Sequence, residues 1–324
     1  MFNIAIIGAG QLGSRHLQAL KNVREKLYIY VLDPSQVSLQ TAQERYDAFM
    51  GYGNNQRVVY TKNISELPAK IDLGVVATNS DSRFEAVSKL MQNSEVKYLL
   101  LEKLLFNKKE HYSIAEKIFS EKNVKVWVNC SMRAMKFYSE IYEKLHGEMF
   151  NYRVTGSNYG LITNSIHYID HIAYLSGSDN FTVDTRLLLK EAIDSKRRGF
   201  LELNGKLIVE FDNGCLGEFI SYKGGNAPLV VEIFSENFRC ISRETEGKSF
   251  ISSLSTNWNW LENNSRIPYQ SEKTTELVNE ILDRGTCPLV EYRASKIHHL
   301  SLLESLNKFL KQNKISKDAN YPFT

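Results

Sequence analysis

Apolar and polar positions follow two different rhythms along the chain. Up to about residue 130, short apolar runs alternate with amphipathic stretches long enough for helices. Phe2 to Ile7 is an isoleucine-rich, almost wholly apolar run, the pattern of a strand buried on both faces. Strand patterns recur at Leu27 to Leu32, Arg57 to Tyr60, Asp72 to Thr78, Lys97 to Glu102 and Val124 to Asn129. Between them Gln11 to about Asn22, Ser35 (a cap) to about Tyr46, about Ser82 to Gln92 and about Lys108 to Glu121 read as helices, and 51–55 as a loop. This alternation predicts a parallel, doubly wound sheet.

After residue 130 the rhythm changes. Met135 to about His146 reads as a helix, Phe150 to Gly156 as a strand and Ser157 to Thr163 as a loop, and a helix from Asn164 stops at Gly177. From Thr182 onward strand patterns dominate. Arg186 to Ile193 is extended, and Lys196-Arg197-Arg198 lies in a basic turn read as a solvated tip. Asn204-Gly205, between Phe200–Leu203 and Lys206–Phe211, is a hairpin signal, and Asp212-Asn213-Gly214 leads into Cys215–Tyr222. Leu229–Phe234 and Phe238–Ser242 follow, so successive hairpins predict an antiparallel sheet. Thr274 to Arg284 and about Glu291 to Leu310 are helical, and the polar tail from Lys311 is expected to be mobile. A chain of 324 residues suits two domains, read as 1–130 and 131–324.

The first strand runs straight into Gly8-Ala9-Gly10-Gln11-Leu12-Gly13, a G-x-G-x-x-G followed by a helix. Gly8 permits the tight turn, Gly10 lets backbone approach a pyrophosphate, and Gly13 lets helix pack on strand. The pyrophosphate then rests on the free N–H groups at the helix start, where Gln11 and Leu12 lie. Asp33 ends the second strand about 20 residues after Gly13, where a carboxylate would hold the ribose hydroxyls of NAD. Its charge disfavours the 2′-phosphate of NADP. Ligands in such sheets bind beyond the carboxyl ends of the strands. Ala77, Thr78 and Asn79 are therefore cofactor candidates, with helix capping as their alternative. Lys103, at the end of an apolar run, is placed either by solvent or by the nicotinamide.

Composition narrows the function further. Forty basic against 37 acidic residues leave a net charge of +3, too weak a field to call for nucleic acid or an anionic membrane. No uninterrupted apolar segment is long enough to span a bilayer, and with a strand read from Phe2 no signal peptide is expected. Four scattered cysteines without a C-x-x-C pair suit the reducing cytoplasm, the expected location.

In the helix from Asn164, His167, Asp170, His171 and Tyr174 share one face at i, i+3, i+4, i+7. Three readings stay open. His167 is a general acid/base oriented or charged by Asp170. Alternatively His167 and His171 ligate a metal, although Tyr168 stands where the zinc-hydrolase motif has glutamate. In the third reading the face is satisfied polar packing.

With the glycine motif, Glu102-Lys103 and the stretch around His167 in view, the chain resembles the Gfo/Idh/MocA oxidoreductase family. The resemblance implies an N-terminal Rossmann domain, doubly wound on a parallel sheet. It also implies a C-terminal α+β domain on a large, open, mostly antiparallel sheet that binds substrate and mediates oligomerisation. The family signature Glu-Lys-Pro reads Glu102-Lys103-Leu104, which carries the role of contacting nicotinamide and substrate to Lys103. Leucine replaces a proline that often brings a cis bond, and a non-proline cis bond costs ~2.5–4 kcal/mol. Asn129 to Tyr138 resembles the family's crossover, whose arginine, here Arg133, commonly lies near cofactor or substrate. The family pattern Asp-x-x-x-His-x-x-Asp is met by His167 and Asp170, but Thr163, followed by Asn164, stands at the first aspartate.

The expected function is thus NAD-dependent hydride transfer at a secondary alcohol or ketone of a sugar or sugar derivative. Lys103 and His167 would be catalytic, and Arg133, Thr163, Asn164, Asp170 and His171 would line the substrate. The cofactor contacts would be Gly8, Gly10, Gln11, Leu12, Gly13, Asp33, Ala77, Thr78, Asn79, Glu102 and Lys103, with no metal. The family habit implies a homodimer or homotetramer. The missing aspartate and proline motivate a second reading, a catalytically silent nucleotide sensor or scaffold. A reductase of an imine or linear tetrapyrrole is a third.

Overall fold

The computed structural model describes residues 1–51, 56–145 and 147–324. Most of the loop expected at 51–55, and the last residue of the helix expected to end at His146, lie outside the described residues. The chain divides into two compact units, Met1–Asn129 with Pro268–Arg293, and Cys130–Ile267 with Ala294–Thr324.

In the first unit, chain order gives β1 (Phe2–Ile7), α1 (Gln11–Leu20), β2 (Leu27–Leu32), α2 (Gln36–Ala48), β3 (Arg57–Thr61), β4 (Lys70–Val76), α3 (Ser80–Asn93), β5 (Glu95–Leu101), α4 (Lys109–Glu121) and β6 (Lys125–Val128). The strands line up β6-β5-β4-β1-β2-β3, all parallel, and the order reverses beside β1. Ile4, Ile6, Val31, Leu73, Leu99 and Val128 are buried, as apolar runs covered on both faces require. Ser35 caps α2, its hydroxyl accepting from Ser38 N–H at 3.2 Å.

The second unit begins with a short 3-10 turn, Ser131–Ala134, and then α5 (Lys136–Leu145), β7 (Phe150–Ser157) and α6 (Leu161–Ser176). The strands β8 (Phe181–Asp184), β9 (Leu188–Asp194), β10 (Leu201–Phe211), β11 (Leu216–Tyr222), β12 (Val230–Ser235), β13 (Phe238–Arg243), β14 (Lys248–Ser253) and β15 (Leu261–Asn264) follow. They form a sheet ordered β15-β14-β13-β12-β7-β11-β10-β8, with β9 also paired to β10. Every pairing is antiparallel except β11 with β7. Helix α6 packs across β10 and β11. Gly217 makes room for it, since a Cβ there would lie 2.9 Å from Ile172 Cδ1.

Four expectations change. Asn204-Gly205 is not a hairpin: β10 runs through it. The register shifts between Leu203 and Gly205, and Gly205 takes φ +113° in the bulge. The two halves of β10 pair with different strands, β9 and β8, so the positive φ serves a bulge instead of a turn. Helix α6 begins at Leu161, three residues early, for a reason given below.

The third change is the return of the chain to the first unit. Here α7 (Gln270–Arg284) packs on α1, and β16 (Val290–Glu291) pairs antiparallel with β6, although a single boundary near 130 assigns both to the second domain. At the surface Arg24 meets the returning helix, its backbone N–H donating to Asn279 Oδ1 at 3.0 Å and its guanidinium pairing with Asp283, partners more than 250 positions away in sequence. Last, the tail after α8 (Tyr292–Gln312) is docked. Tyr321, Phe323 and Thr324 are buried, and Leu201 N–H donates to Pro322 O at 2.7 Å. The aromatics in an otherwise polar tail supply the apolar area that holds it.

Candidate functional site

In the first unit the glycine loop and Asp33 form one piece. The Asp33 carboxylate accepts Ala9 N–H at 2.7 Å and Ser35 N–H at 2.8 Å, which ties the end of β2 to the loop after β1. Gly8 stands at φ +97°. A Cβ on Gly13 would lie 1.7 Å from Gly8 O, whereas one on Gly10 would meet nothing within 4 Å. Gly13 is therefore required by the protein itself, and Gly10 leaves open space in front of exposed backbone. Gln11 and Leu12 open α1, with Gln11 exposed and Leu12 half-buried.

A cavity of about 410 Å³ opens beside this loop, lined among others by Gly8, Leu32, Pro34, Asn63, Thr78 and Ser82. Its walls come from the carboxyl ends of β1, β2 and β4, where such a sheet binds ligands. Ala77 follows β4, and Asn79 is the N-cap of α3 without a side-chain cap bond. These residues fit a dinucleotide: a loop open at Gly10, a carboxylate anchored beside it and an adjacent slot.

The end of β5 is held from three directions. Glu102 is buried, and its Oε1 accepts from Asn129 Nδ2 at 2.6 Å and meets His16 Nε2 at 2.9 Å. The other His16 ring nitrogen meets Thr274 Oγ1 of α7 at 2.8 Å. Burial alone raises the Glu102 carboxyl. The His16 and Asn129 hydrogen bonds and the charges of His16 and Arg83 outweigh it and bring the carboxyl down to about 2. Arg83, a buried residue of α3, donates to the carbonyls of Thr78, Leu104 and Leu105, so one guanidinium ties the loop after β4 to the loop after β5. Lys103 is buried at this strand end, and the Lys103–Leu104 bond is cis. His16, Arg83 and Asn129 are absent from the sequence-based list. Only His16, three residues after the glycine motif on a buried helix face, gave a local hint.

The depressed Glu102 carboxyl has a consequence at low pH. Its folded pKa lies below the unfolded value, so its stabilisation is present above about pH 4.5 and is lost as pH falls towards about 2. Melting curves from pH 6 to pH 3 should fall less steeply for Glu102→Gln than for the wild type. Equal slopes would show that Glu102 does not titrate in this window.

In the second unit α6 carries the candidates. Thr163, Asn164, His167 and Tyr174 are half-buried, while Asp170 and His171 are fully buried. Arg133, from the 3-10 turn, grips Asp170 with two parallel bonds of 2.8 Å and lies 5.1 Å above the Tyr174 ring. His298 of α8 lies 3.7 Å from Asp170 through Nδ1 and 2.8 Å from Asp179 through Nε2. Burial pulls its pKa down, but these two carboxylates raise it overall. Asp170 is thus the partner of Arg133 and His298. His171 lies on the inner face. Its ring nitrogens meet Tyr152 Oη at 3.1 Å and Tyr138 O at 3.4 Å, and burial pushes its pKa down to about 4. With both nitrogens engaged and no exposure, His171 packs the core instead of lining a substrate or a metal. Among the described residues no group of three or more histidines, cysteines or carboxylates is placed to hold a metal ion.

Thr163 and Asn164 sit in the first turn of α6. Glu202, a buried residue of β10, accepts Ile162 N–H at 2.7 Å and Thr163 N–H at 3.1 Å, and Thr163 Oγ–H donates to it at 2.8 Å. This carboxylate satisfies helix-end donors that no local residue caps, which is why α6 starts earlier than the sequence suggests. No local pattern announced Glu202, which lies about 40 residues from its partners.

The sheet order, the glycine loop and Asp33 define a dinucleotide-binding protein of the Rossmann type. Residues 2–130 match the model described as "Oxidoreductase family, NAD-binding Rossmann fold", GFO_IDH_MocA. This part of the chain belongs to the Gfo/Idh/MocA oxidoreductase family and is its NAD-binding domain. A comparison with curated protein sequences finds no match.

Solved structures share the fold over nearly the whole chain. An oxidoreductase from Agrobacterium radiobacter, in complex with NAD+, L-tartaric acid and magnesium, is 13% identical with a TM-score of 0.72, covering 96% of this chain and 97% of that one. UDP-N-acetylglucosamine 3-dehydrogenase from Acidithiobacillus ferrooxidans is 12% identical with a TM-score of 0.69, covering 94% and 96%. The transcriptional regulator Gal80p from Kluyveromyces lactis is 14% identical with a TM-score of 0.70, covering 96% and 93%. Among the described residues no helix is long and apolar enough to cross a membrane.

Proposed function

We propose that the protein is an NAD-dependent oxidoreductase that moves a hydride to or from a carbon bearing a secondary alcohol or ketone in a sugar or sugar derivative. The carrying observation is a half-buried histidine, His167, on one helix face with Thr163 and Asn164, in a chain whose first 130 residues form an NAD-binding domain. NAD, when bound, supplies the hydride chemistry. The loop Gly8–Gly13 holds the pyrophosphate at the start of α1, Asp33 holds the ribose hydroxyls, and Ala77, Thr78 and Asn79 line the dinucleotide. Glu102 fixes the strand end that presents Lys103. His167 takes or gives the hydroxyl proton, a role worth ~10²–10⁴ in rate. Lys103 supplies a cation to stabilise developing negative charge on the substrate. Arg133, held by Asp170, and the pair Thr163 and Asn164 bind the rest of the substrate. The second unit serves substrate binding and oligomerisation, in a cytoplasmic homodimer or homotetramer.

The dehydrogenase of a sugar nucleotide among the structures of this fold supports the substrate class. The test is absorbance at the reduced-nicotinamide band across a panel of sugars and sugar nucleotides with NAD. Reduction with a sugar supports the reading. Firm NAD binding with no reduction across the panel moves the weight to a second reading, a nucleotide sensor without turnover. Thr163 at the position of the family's aspartate, and a transcriptional regulator on the same fold, favour that alternative.

A further inference from the structure

Resting on the substrate-binding role proposed for Arg133, we infer that its outer amino group is the subsite for an oxyanion on the sugar, a carboxylate or a phosphate, and that the buried His298 keeps this subsite cationic.

The first argument is an inventory of donors. A guanidinium carries five N–H groups. In Arg133, Nε–H goes to Asp170 Oδ2 at 2.8 Å, and Nη2 donates to Asp170 Oδ1 at 2.8 Å and to Asp170 O at 3.1 Å. One residue of α6 thus takes three donors and fixes the plane of the group, which lies 5.1 Å above the Tyr174 ring. The two protons of Nη1 remain. Nη1 has no partner among the described residues and is not sealed in the interior, so it opens to solvent. The Arg133 side chain is 14% exposed, whereas Asp170 is wholly buried.

The second argument is charge. A guanidinium paired with one carboxylate is neutral as a unit and draws an anion weakly. Here that carboxylate is shared. His298 Nδ1 lies 3.7 Å from Asp170 Oδ1, and its Nε2 meets Asp179 Oδ1 at 2.8 Å. These are the charged groups that face the ring, and Phe181 of β8 packs 6.1 Å away. Burial opposes a charge on His298, and the two carboxylates outweigh it. Charged, His298 sets two cations against two anions. Neutral, it would leave the cluster with an excess negative charge that repels an oxyanion at Nη1. His298 is wholly buried and touches no ligand itself. It acts through Asp170 and Arg133, as a positioning residue.

The test uses crystals of the full chain soaked at graded concentrations of malonate, inorganic phosphate or neutral malonamide. An oxygen of malonate or phosphate is expected within hydrogen-bond distance of Arg133 Nη1, with malonamide absent there. The anion that fills the site at the lower concentration identifies the group. Malonamide bound as readily as the anions, or no anion at Nη1, overturns the inference. His298→Gln keeps a donor for Asp179 and removes the charge. It should raise the concentration for half-occupancy at least about threefold, as loss of one nearby, partly screened charge requires. Because that change touches a buried position, the double variant His298→Gln with Asp179→Asn is the control. It keeps the altered side chain and restores the charge count, so half-occupancy should return to within about twofold of wild type. Equal weakening in both variants, or none in His298→Gln, shows a merely structural His298 and overturns the inference. These readouts need no turnover. Anions bound at Nη1 in a protein that reduces NAD with no sugar count against the redox reading alone. Turnover of a sugar with no anion bound at Nη1 counts against this inference alone.

Discussion

Replacing His167 by alanine should lower turnover by about 10²–10⁴-fold, the usual worth of a positioned acid/base, and leave NAD affinity within about twofold of wild type. The reason is a division of labour along the chain. The groups proposed to bind the dinucleotide, from Gly8 to Asp33 and on to Asn79, belong to the first unit, and His167 belongs to α6 of the second. Proton transfer needs a titratable group at the reacting oxygen, and alanine supplies none. The measurement is steady-state kinetics with the sugar found in the panel, beside a binding titration with NAD followed by protein fluorescence. Wild-type kcat in the variant would remove His167 from the chemistry. A parallel loss of NAD affinity would show that the substitution disturbed more than the proton.

The second large effect separates two glycines of one motif. Gly13→Ala forces a methyl group to within 1.7 Å of Gly8 O, so backbone must shift where α1 crosses β1. Such overpacking costs ~1–3 kcal/mol or more and should lower the melting temperature by about 4–10 °C. Gly10→Val should behave in the opposite way. Gly10 has φ −66° and ψ −161°, ordinary extended backbone, and its side faces open space. Stability should stay within about 0.5 kcal/mol of wild type, while NAD affinity falls more than about tenfold, because the new side chain occupies the ground proposed for the pyrophosphate. Thermal melts and NAD titrations on both variants give a two-by-two result. Equal loss of stability in both, or normal NAD affinity in Gly10→Val, would contradict this assignment of the loop.

Much of the first unit was legible because its determinants are local. A buried parallel strand announces itself as an apolar run, a helix by its period and cap, and the glycine motif by spacing within one turn. Ser35 caps α2 as read, and every parallel strand lies where the run predicted it, within about two residues. What failed was non-local. Asn204-Gly205 reads as a hairpin in isolation, but β8 and β9 both pair with β10 and turn the glycine into a bulge. The start of α6 was read too late because its cap arrives from another strand. The tail looked polar and loose, yet Tyr321 and Phe323 find a buried place in the second unit.

The candidate site divides in the same way. The glycine loop, Asp33, Lys103 and His167 could be named as candidates from the sequence, the first two by motif spacing and the last two with the family resemblance. Which partner each side chain takes could not. A carboxylate three residues after His167 looks like its orienter, and folding gave it to Arg133 and His298. His171, one turn after His167, was expected to line the substrate, and it lies in the core.

By itself, then, the sequence determined that this chain carries an NAD-binding domain of the Gfo/Idh/MocA family, which strands and helices build it, and which helix bears the titratable face. Periodicity and short motifs act over a few residues and survive without knowledge of the fold. Only the tertiary structure decided that α7 returns to pack on α1, that His16 and Asn129 fix Glu102, and that Glu202 accepts the first N–H groups of α6. Those contacts join residues about 30 to 260 positions apart, and a hydrogen bond across such a separation leaves no spacing to read. Its partners are chosen by burial, which forces each polar group to find whichever complement the packed chain brings near.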